Sequence, residues 1–232
     1  MIQMRRHDEI FFIDRGWFQG RWHFSFDIYW DPANMGFGTL RVFNVDTLAP
    51  GAAWPLHPHQ DNEVITYCVE GEFRHEDNLG NDGVLYPGDV QHTTIGSGLW
   101  HSEINNRPDI PMTFVQIWIR PRVLGLPPSV EQRHVDPEER LNRLLPLVSN
   151  RHPGALPIYQ DAEIYAATIE PNVELHQALE EGYGAYVYVV RGSIALNGLD
   201  MKEGDAAKVW REERLSLAGT GGGEVLLVVV KV

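Results

Sequence analysis

Three histidines and two glutamates between Gly51 and Asn105 stand at spacings that suit a metal ion. His57 and His59 are two residues apart in GAAWPLHPHQDNE, and so are His101 and Glu103 in GSGLWHSEIN. On a strand, successive side chains alternate faces, so each pair projects from one side of its strand. Two such pairs on neighbouring strands make a four-point cage. Imidazole and carboxylate are ordinary donors for first-row transition metals, and three histidines with one glutamate leave one or two positions open for water, substrate or dioxygen. Open positions are the mark of a catalytic site. A single HxH is more often a pair of part-exposed strand histidines, so the weight rests on the two pairs occurring together.

The elements that must position these residues read as strands and tight turns. Residues 35 to 50, MGFGTLRVFNVDTLAP, alternate as a strand that ends at Pro50, and Pro55 and Pro58 make the next element an edge, a bulge or an irregular strand. VITYCV is a compact β-branched run, LGNDG is a hairpin signal, and PMTFVQIWIR has the pattern of a strand covered on both faces. His75 sits among charged neighbours and reads as a solvated strand residue. From Asp136 the run DPEERLNRLLPLV carries an N-cap aspartate, proline at N1, early acids and leucines at 141, 144 and 145, which predicts a helix.

Two longer patterns enclose the ligand candidates. The first is G-x5-H-x-H-x3-E, with Gly51, His57, His59 and Glu63, followed by Gly71. The second is G-x-x-H-x3-N, with Gly98, His101 and Asn105. Together they resemble the two motifs of the cupin superfamily, although Gly71 lies one residue further on than usual and Gly96 stands where many cupins have proline. HPHxDxE, TYxxEGxxxHxDxxGN, PGDxQ and GxGxxHSE resemble the pirin family in particular, as do WHFSFDIYWDPANMGFGTLRV, QIWIRP and EQR. The resemblance is dense over roughly the first 135 residues and thin beyond them.

It implies a fold of two tandem antiparallel jelly-roll barrels, a bicupin, joined by a short linker helix. We expect a metal-binding barrel over 1–127, a linker with the helix over 128–157 and a second barrel over 158–232. The segment YVYVVRGSIALNGLDMKEGDAA echoes TYCVEGEFRHEDN and YPGDVQ, so the halves read as a repeat in which Gly71 to Gly88 is matched by Gly192 to Gly204. The second copy has His176 alone where the first has an HxH pair, and nothing corresponds to His101 and Glu103. That barrel is expected to hold no metal.

The expected ligands are His57, His59, His101 and Glu103, the last favoured by its short spacing from His101 and by the resemblance. Glu63 has the right parity on an unbroken strand, but Gln60-Asp61-Asn62 interrupts it, so it reads as a neighbour holding a ligand's free N–H. His92 is a rival, following the Pro87-Gly88 turn, but it lacks the glycine before and the asparagine after that flank His101. Pirin-like proteins with this site imply a quercetin 2,3-dioxygenase, opening the ring of flavonols with O2 and releasing carbon monoxide. Glu103 would then also be the base that takes the proton of the flavonol 3-hydroxyl. Iron(II) heads the candidate ions, with zinc, manganese, cobalt, nickel and copper accepted by the same donors. Trp54, Trp100, Phe114 and Trp118 are available as walls for a flat aromatic substrate. The alternatives are a metal-dependent regulator that binds a protein, as animal pirin is described, and a metal-assisted isomerase or hydrolase of another small molecule.

Composition narrows the partners. Nineteen basic and thirty-two acidic residues give a net charge of −13, which opposes contact with nucleic acid. No apolar stretch approaches the eighteen or so residues a membrane helix needs, the one cysteine, Cys68, excludes an intrachain disulfide, and the chain reads as a cytoplasmic monomer.

Overall fold

The computed structural model describes residues 1–232. Nineteen strands and two 3₁₀ turns, His7–Glu9 and Pro137–Arg140, make up its regular structure. The chain divides into two compact units. The first in sequence, Phe11–Val135 with Leu156–Gln160, carries both histidine motifs; the second comprises Met1–Ile10, Asp136–Ala155 and Asp161–Val232.

The motif-bearing unit is a sandwich of two antiparallel sheets. One has four strands in the order Ala53–His59, Leu99–Asn105, Phe73–Asp77, Asp82–Leu85. The other has seven, in the order Ser129–Arg133, Val90–Thr94, Glu63–Glu70, Met112–Ile119, Leu40–Leu48, Phe18–Trp22, Phe11–Asp14. Phe73 and Leu85 from the small sheet pack with Phe18, Trp22, Leu48, Cys68, Met112 and Phe114 from the large one, which closes an apolar core at one end. Apolar area removed from water contributes about 25 cal/mol per Å². The sheets meet as the layers of a jelly roll without forming closed barrels, and Cys68 lies in the core as a free thiol.

The other unit repeats this plan. Its central order Ala206–Trp210, Tyr183–Leu196, Arg214–Lys231, Ala162–Ile169 matches Val90–Thr94, Glu63–Glu70, Met112–Ile119, Leu40–Leu48. Tyr183–Leu196 and Arg214–Lys231 are long enough to belong to both layers, so one eight-stranded sheet does the work of two. The Gly71 to Gly88 repeat is visible here: Gly71 separates two strands, whereas Gly192 lies inside one continuous strand.

Three sequence expectations change. The helix from Asp136 is a single 3₁₀ turn, Pro137–Arg140, although its capping box, Asp136 with Glu139, is formed. The chain turns extended again at Leu141, Asn142 adopts φ +54°, and Leu145 enters the strand Leu145–Ser149. Residues 1–10, expected in the metal-binding barrel, belong instead to the second unit, where Ile2 to Arg5 pair with Val209 to Ala206. Ser129–Arg133, expected in the linker, pairs with Val90–Thr94, because Val130 and its neighbours complete an otherwise open sheet edge.

Candidate metal centre

The strand Ala53–His59 is the edge of the small sheet, as its prolines require. It pairs with Leu99–Asn105 so that His101 lies opposite His57 and Leu99 opposite His59. Between His101 and Glu103 the register slips: Glu103 faces Trp54, so the proline-bearing strand has one residue extra in a bulge. The bulge turns the Pro55 carbonyl toward its own strand, 2.8 Å from His57 Nδ1. Nδ1–H donates to that carbonyl, which leaves Nε2 as the free nitrogen of His57.

The imidazoles of His57, His59 and His101 converge, one nitrogen from each lying within 4.8 Å of the others. Ring centroids are 4.6 to 5.0 Å apart. His101 is 4% exposed, and its Nε2 is buried without a hydrogen-bond partner. A buried nitrogen left unpaired beside two further imidazoles is unfavourable in protein alone and is satisfied by a cation. Burial and the neighbouring imidazoles push His101 down to about 2, and burial with His57 pushes His59 down to about 4, so these two rings are neutral, the form that donates a lone pair to a metal. The donor set therefore fits a divalent transition ion.

Glu103 lies on the same strand and face as His101 and lines a cavity with His57 and His59, but its carboxylate is not among the donor atoms that lie within 4.8 Å of one another. It is 5% exposed, and burial lifts its carboxyl to about 7 against the opposing pull of its hydrogen bond from the Gln116 amide. Trp118 Nε1–H donates to Gln116 Oε1 at 2.9 Å, which fixes the amide so that its N–H₂ points at the carboxylate. The Trp118 ring also abuts His59, 4.8 Å between centroids. Both Gln116 and Trp118 come from Met112–Ile119, so the large sheet supplies the back wall of the site.

A cavity of about 440 Å³ opens onto His57, His59 and Glu103, with Phe18, Trp22, Phe26, Trp54 and Trp118 as aromatic walls and Asp46 among its polar lining groups. Of the walls expected from sequence, Trp54 and Trp118 line it. Phe114 is instead core, fully buried, and Trp100 is 47% exposed on the outer face of its strand. Trp22 and Phe26 come from WHFSFDIYWDPANMGFGTLRV and Gln116 opens QIWIRP, stretches that carry the resemblance without being assigned to the site, and Asp46 lies in no motif.

Glu63 departs from expectation. It is fully buried, but its carboxylate accepts from His92 Nε2 at 3.0 Å and from the backbone N–H groups of Tyr159 at 3.2 Å and Gln160 at 2.8 Å. It holds the returning segment Leu156–Gln160 rather than a member of the imidazole trio, and His92 is thereby engaged away from the trio. His75, expected in solvent, is 1% exposed, bonded through Nε2 to Asp77 at 3.1 Å with its ring 5.4 Å from that of His101. Glu103 and His75 are cross-strand partners, so both point into the sandwich despite the charged sequence around His75. In the second unit, the residue opposite His176 is Ser216, where the first has His101 opposite His57.

The chain is similar to known proteins along its length. Residues 4–119 match the family model described as Pirin, and residues 147–230 that described as Quercetinase C-terminal cupin domain. A protein of Zymomonas mobilis, provisionally named a quercetin 2,3-dioxygenase, is 38% identical over 231 residues, spanning 99% of this chain and 98% of its own. The quercetin 2,3-dioxygenase of Escherichia coli K12 is 35% identical over 229 residues, 98% of this chain and 97% of its own. The crystal structure of the bacterial pirin YhhW of Escherichia coli in complex with nickel(II) superposes with a TM-score of 0.94 at 31% identity, covering 100% of this chain and 99% of that one. With both cupin units accounted for and relatives matched from end to end, the chain belongs to the pirin family.

Proposed function

We propose that this chain is a metal-dependent dioxygenase that opens the ring of flavonols such as quercetin with O2, with His57, His59, His101 and Glu103 holding the ion. The observation that carries the reading is the buried, unpartnered Nε2 of His101 within an imidazole trio whose other two members, His57 and His59, line a cavity walled by flat aromatic rings. The names of the Zymomonas and Escherichia relatives support the same reaction class. Iron(II) is the first candidate ion, and the nickel(II) held by YhhW supports a donor set that accepts several metals. Bound there, a divalent ion would lend Lewis acidity to a substrate oxygen and an open position to dioxygen.

The chain's own residues do the rest. The rings of Trp54, Trp118, Trp22, Phe18 and Phe26 orient a planar substrate and keep water from it. Glu103 carries the carboxylate placed in the cavity to accept the proton of a phenolic hydroxyl. Gln116 keeps one carboxylate oxygen occupied, so the same remaining oxygen would hold the ion and, on letting go of it, take the substrate proton. The protein is expected to act as a cytoplasmic monomer on a small aromatic molecule; no helix is long and apolar enough to cross a membrane.

The test is aerobic turnover of quercetin by protein loaded in turn with each candidate ion, read as flavonol consumption and carbon monoxide release. Saturable turnover with at least one ion is the expected result. Absence of turnover with all of them would overturn the dioxygenase reading.

A further inference from the structure

Asp46 is an unusual residue to find in an aromatic-walled cavity. It lies on Leu40–Leu48, is 6% exposed and lines the same space as His57, His59 and Glu103. One oxygen, Oδ1, accepts the Trp22 indole N–H at 3.2 Å. The other oxygen has no hydrogen-bond partner within the chain, and no cation pairs with the carboxyl. That oxygen is not among the fully buried unpaired atoms but is left to whatever fills the cavity that Asp46 lines.

The surroundings are built to keep the carboxyl there. Gly20 lies opposite Asp46 in the sheet. A Cβ at position 20 would come within 2.8 Å of Asp46 Oδ1, of Phe18 Cζ and of Trp22 Nε1 at once. Only a residue without a side chain leaves room for these groups to meet. Around them, Trp22 and Phe26 meet edge to face at 5.2 Å, Phe26 and Trp118 at 5.5 Å, and Phe18 and Trp54 at 4.8 Å. The ring edges and faces define a slot for a planar molecule, and the slot has polar groups in two places: the imidazoles with Glu103, and Asp46.

We propose that Asp46 is a binding subsite for a second ring hydroxyl, so that the cavity selects planar aromatics carrying one oxygen for the imidazole and Glu103 region and another hydroxyl for the free oxygen of Asp46. The proposal rests on the flavonol reading for the substrate's class and adds to it the feature that separates a polyhydroxylated ring system from a bare one. A hydroxyl gives this cavity-facing oxygen a partner, whereas a ligand lacking it would displace the cavity's solvent and offer nothing in return. A site built to hydrogen-bond a hydroxyl discriminates strongly against the analogue without it.

The test measures binding without turnover. Full-length protein loaded with nickel(II) is titrated anaerobically with quercetin and with 3-hydroxyflavone, which keeps the 3-hydroxyl but lacks the others, following quenching of tryptophan fluorescence. Wild type is expected to bind quercetin at least about tenfold more tightly, the scale of one hydrogen bond to a buried group. Asp46→Ala should lose that preference by weakening quercetin alone, its retained affinity for 3-hydroxyflavone showing that the cavity is intact. Asp46→Asn keeps an acceptor for Trp22 and a polar group toward the ligand, and should restore most of the preference. Equal weakening of both compounds in Asp46→Ala with no rescue by asparagine, an unchanged preference, or no saturable binding of quercetin by wild type would each overturn the proposal. Discrimination that depends on Asp46 in a protein that turns over no flavonol with any ion would instead overturn the dioxygenase reading and leave the subsite standing.

Discussion

Glu103 and His101 lie on one strand and face one site, but the chemistry assigned to them differs, and so should the traces of their removal. Glu103→Gln keeps the shape and the three imidazoles, so metal content should stay near one ion per chain. An amide cannot take the substrate proton, and flavonol turnover should fall about 10²- to 10⁴-fold, the usual range for a general base. His101→Ala removes the buried nitrogen itself and should lose metal and activity together. Metal analysis beside the turnover assay separates the two, and near-wild-type turnover by metal-replete Glu103→Gln would remove Glu103 as the base. What was legible at this scale were residues whose partners are near in sequence. The two i, i+2 pairs announce their face by spacing alone. Asp46 does not, because its meaning depends on Trp22 and Gly20, and in VFNVDTLAP it reads as polarity before a turn. Glu63 was misread for the same reason, since its partners Tyr159 and Gln160 arrive almost a hundred residues later.

Strands and turns carry the next level of the site. The loop before His101 depends on Gly96, which adopts φ +51° with its missing Cβ 1.9 Å from the Leu126 carbonyl oxygen. Gly96→Ala must therefore shift the backbone, and we expect it to lower stability by about 1–3 kcal/mol, from the unfavourable left-handed conformation together with the clash. Urea denaturation measures this, and a loss below a few tenths would show that the loop adjusts freely. The proline-bearing edge strand was readable from sequence because proline cannot serve a sheet interior. The helix was not, and the reason is instructive. DPEERL contains a genuine capping box, formed by Asp136 and Glu139, but a helix start specifies only its first turn. Leu145 and Leu147 find their burial in a strand paired with Ala162–Ile169, and tertiary pairing overrides the local preference.

At the scale of the molecule the two units share a strand order and differ in donors. His176 faces Ser216, and its only ionic neighbour is Glu174 at 4.0 Å. Metal analysis should find one ion per chain in the wild type and none in His57→Ala with His59→Ala; one ion remaining in that double variant would place a second centre in the C-terminal unit. That unit is held at its strand ends by Asp161, which accepts from Tyr183, pairs with Arg151 at 2.8 Å and lies 3.1 Å from Lys231. The Tyr183 hydroxyl, with the two cations, lowers the Asp161 carboxyl to about 2. A carboxyl depressed on folding contributes stability that is complete above its unfolded value, near 4, and is lost as pH falls through about 2. Asp161→Asn should accordingly lower the Tm at neutral pH and narrow its gap from wild type between about pH 4 and pH 2. A gap constant over that range would show that the carboxylate's charge contributes nothing.

The placement of Ile2–Arg5 against Ala206–Trp210 has a consequence for how the chain comes into being. Chains leave the ribosome from the N-terminus, and domains generally fold as units while synthesis continues. The strand Ile2–Arg5 must then wait for a partner emerging some two hundred residues later, with Ile2 and Met4 exposed until it arrives. The motif-bearing unit has a shorter delay of the same kind, since the Glu63 carboxylate lacks two of its donors until Gln160 has been made. The unit bearing the imidazoles can thus be complete while the one that needs both ends of the chain is still being translated, which makes the waiting N-terminal strand the segment most open to chaperones and to premature pairing.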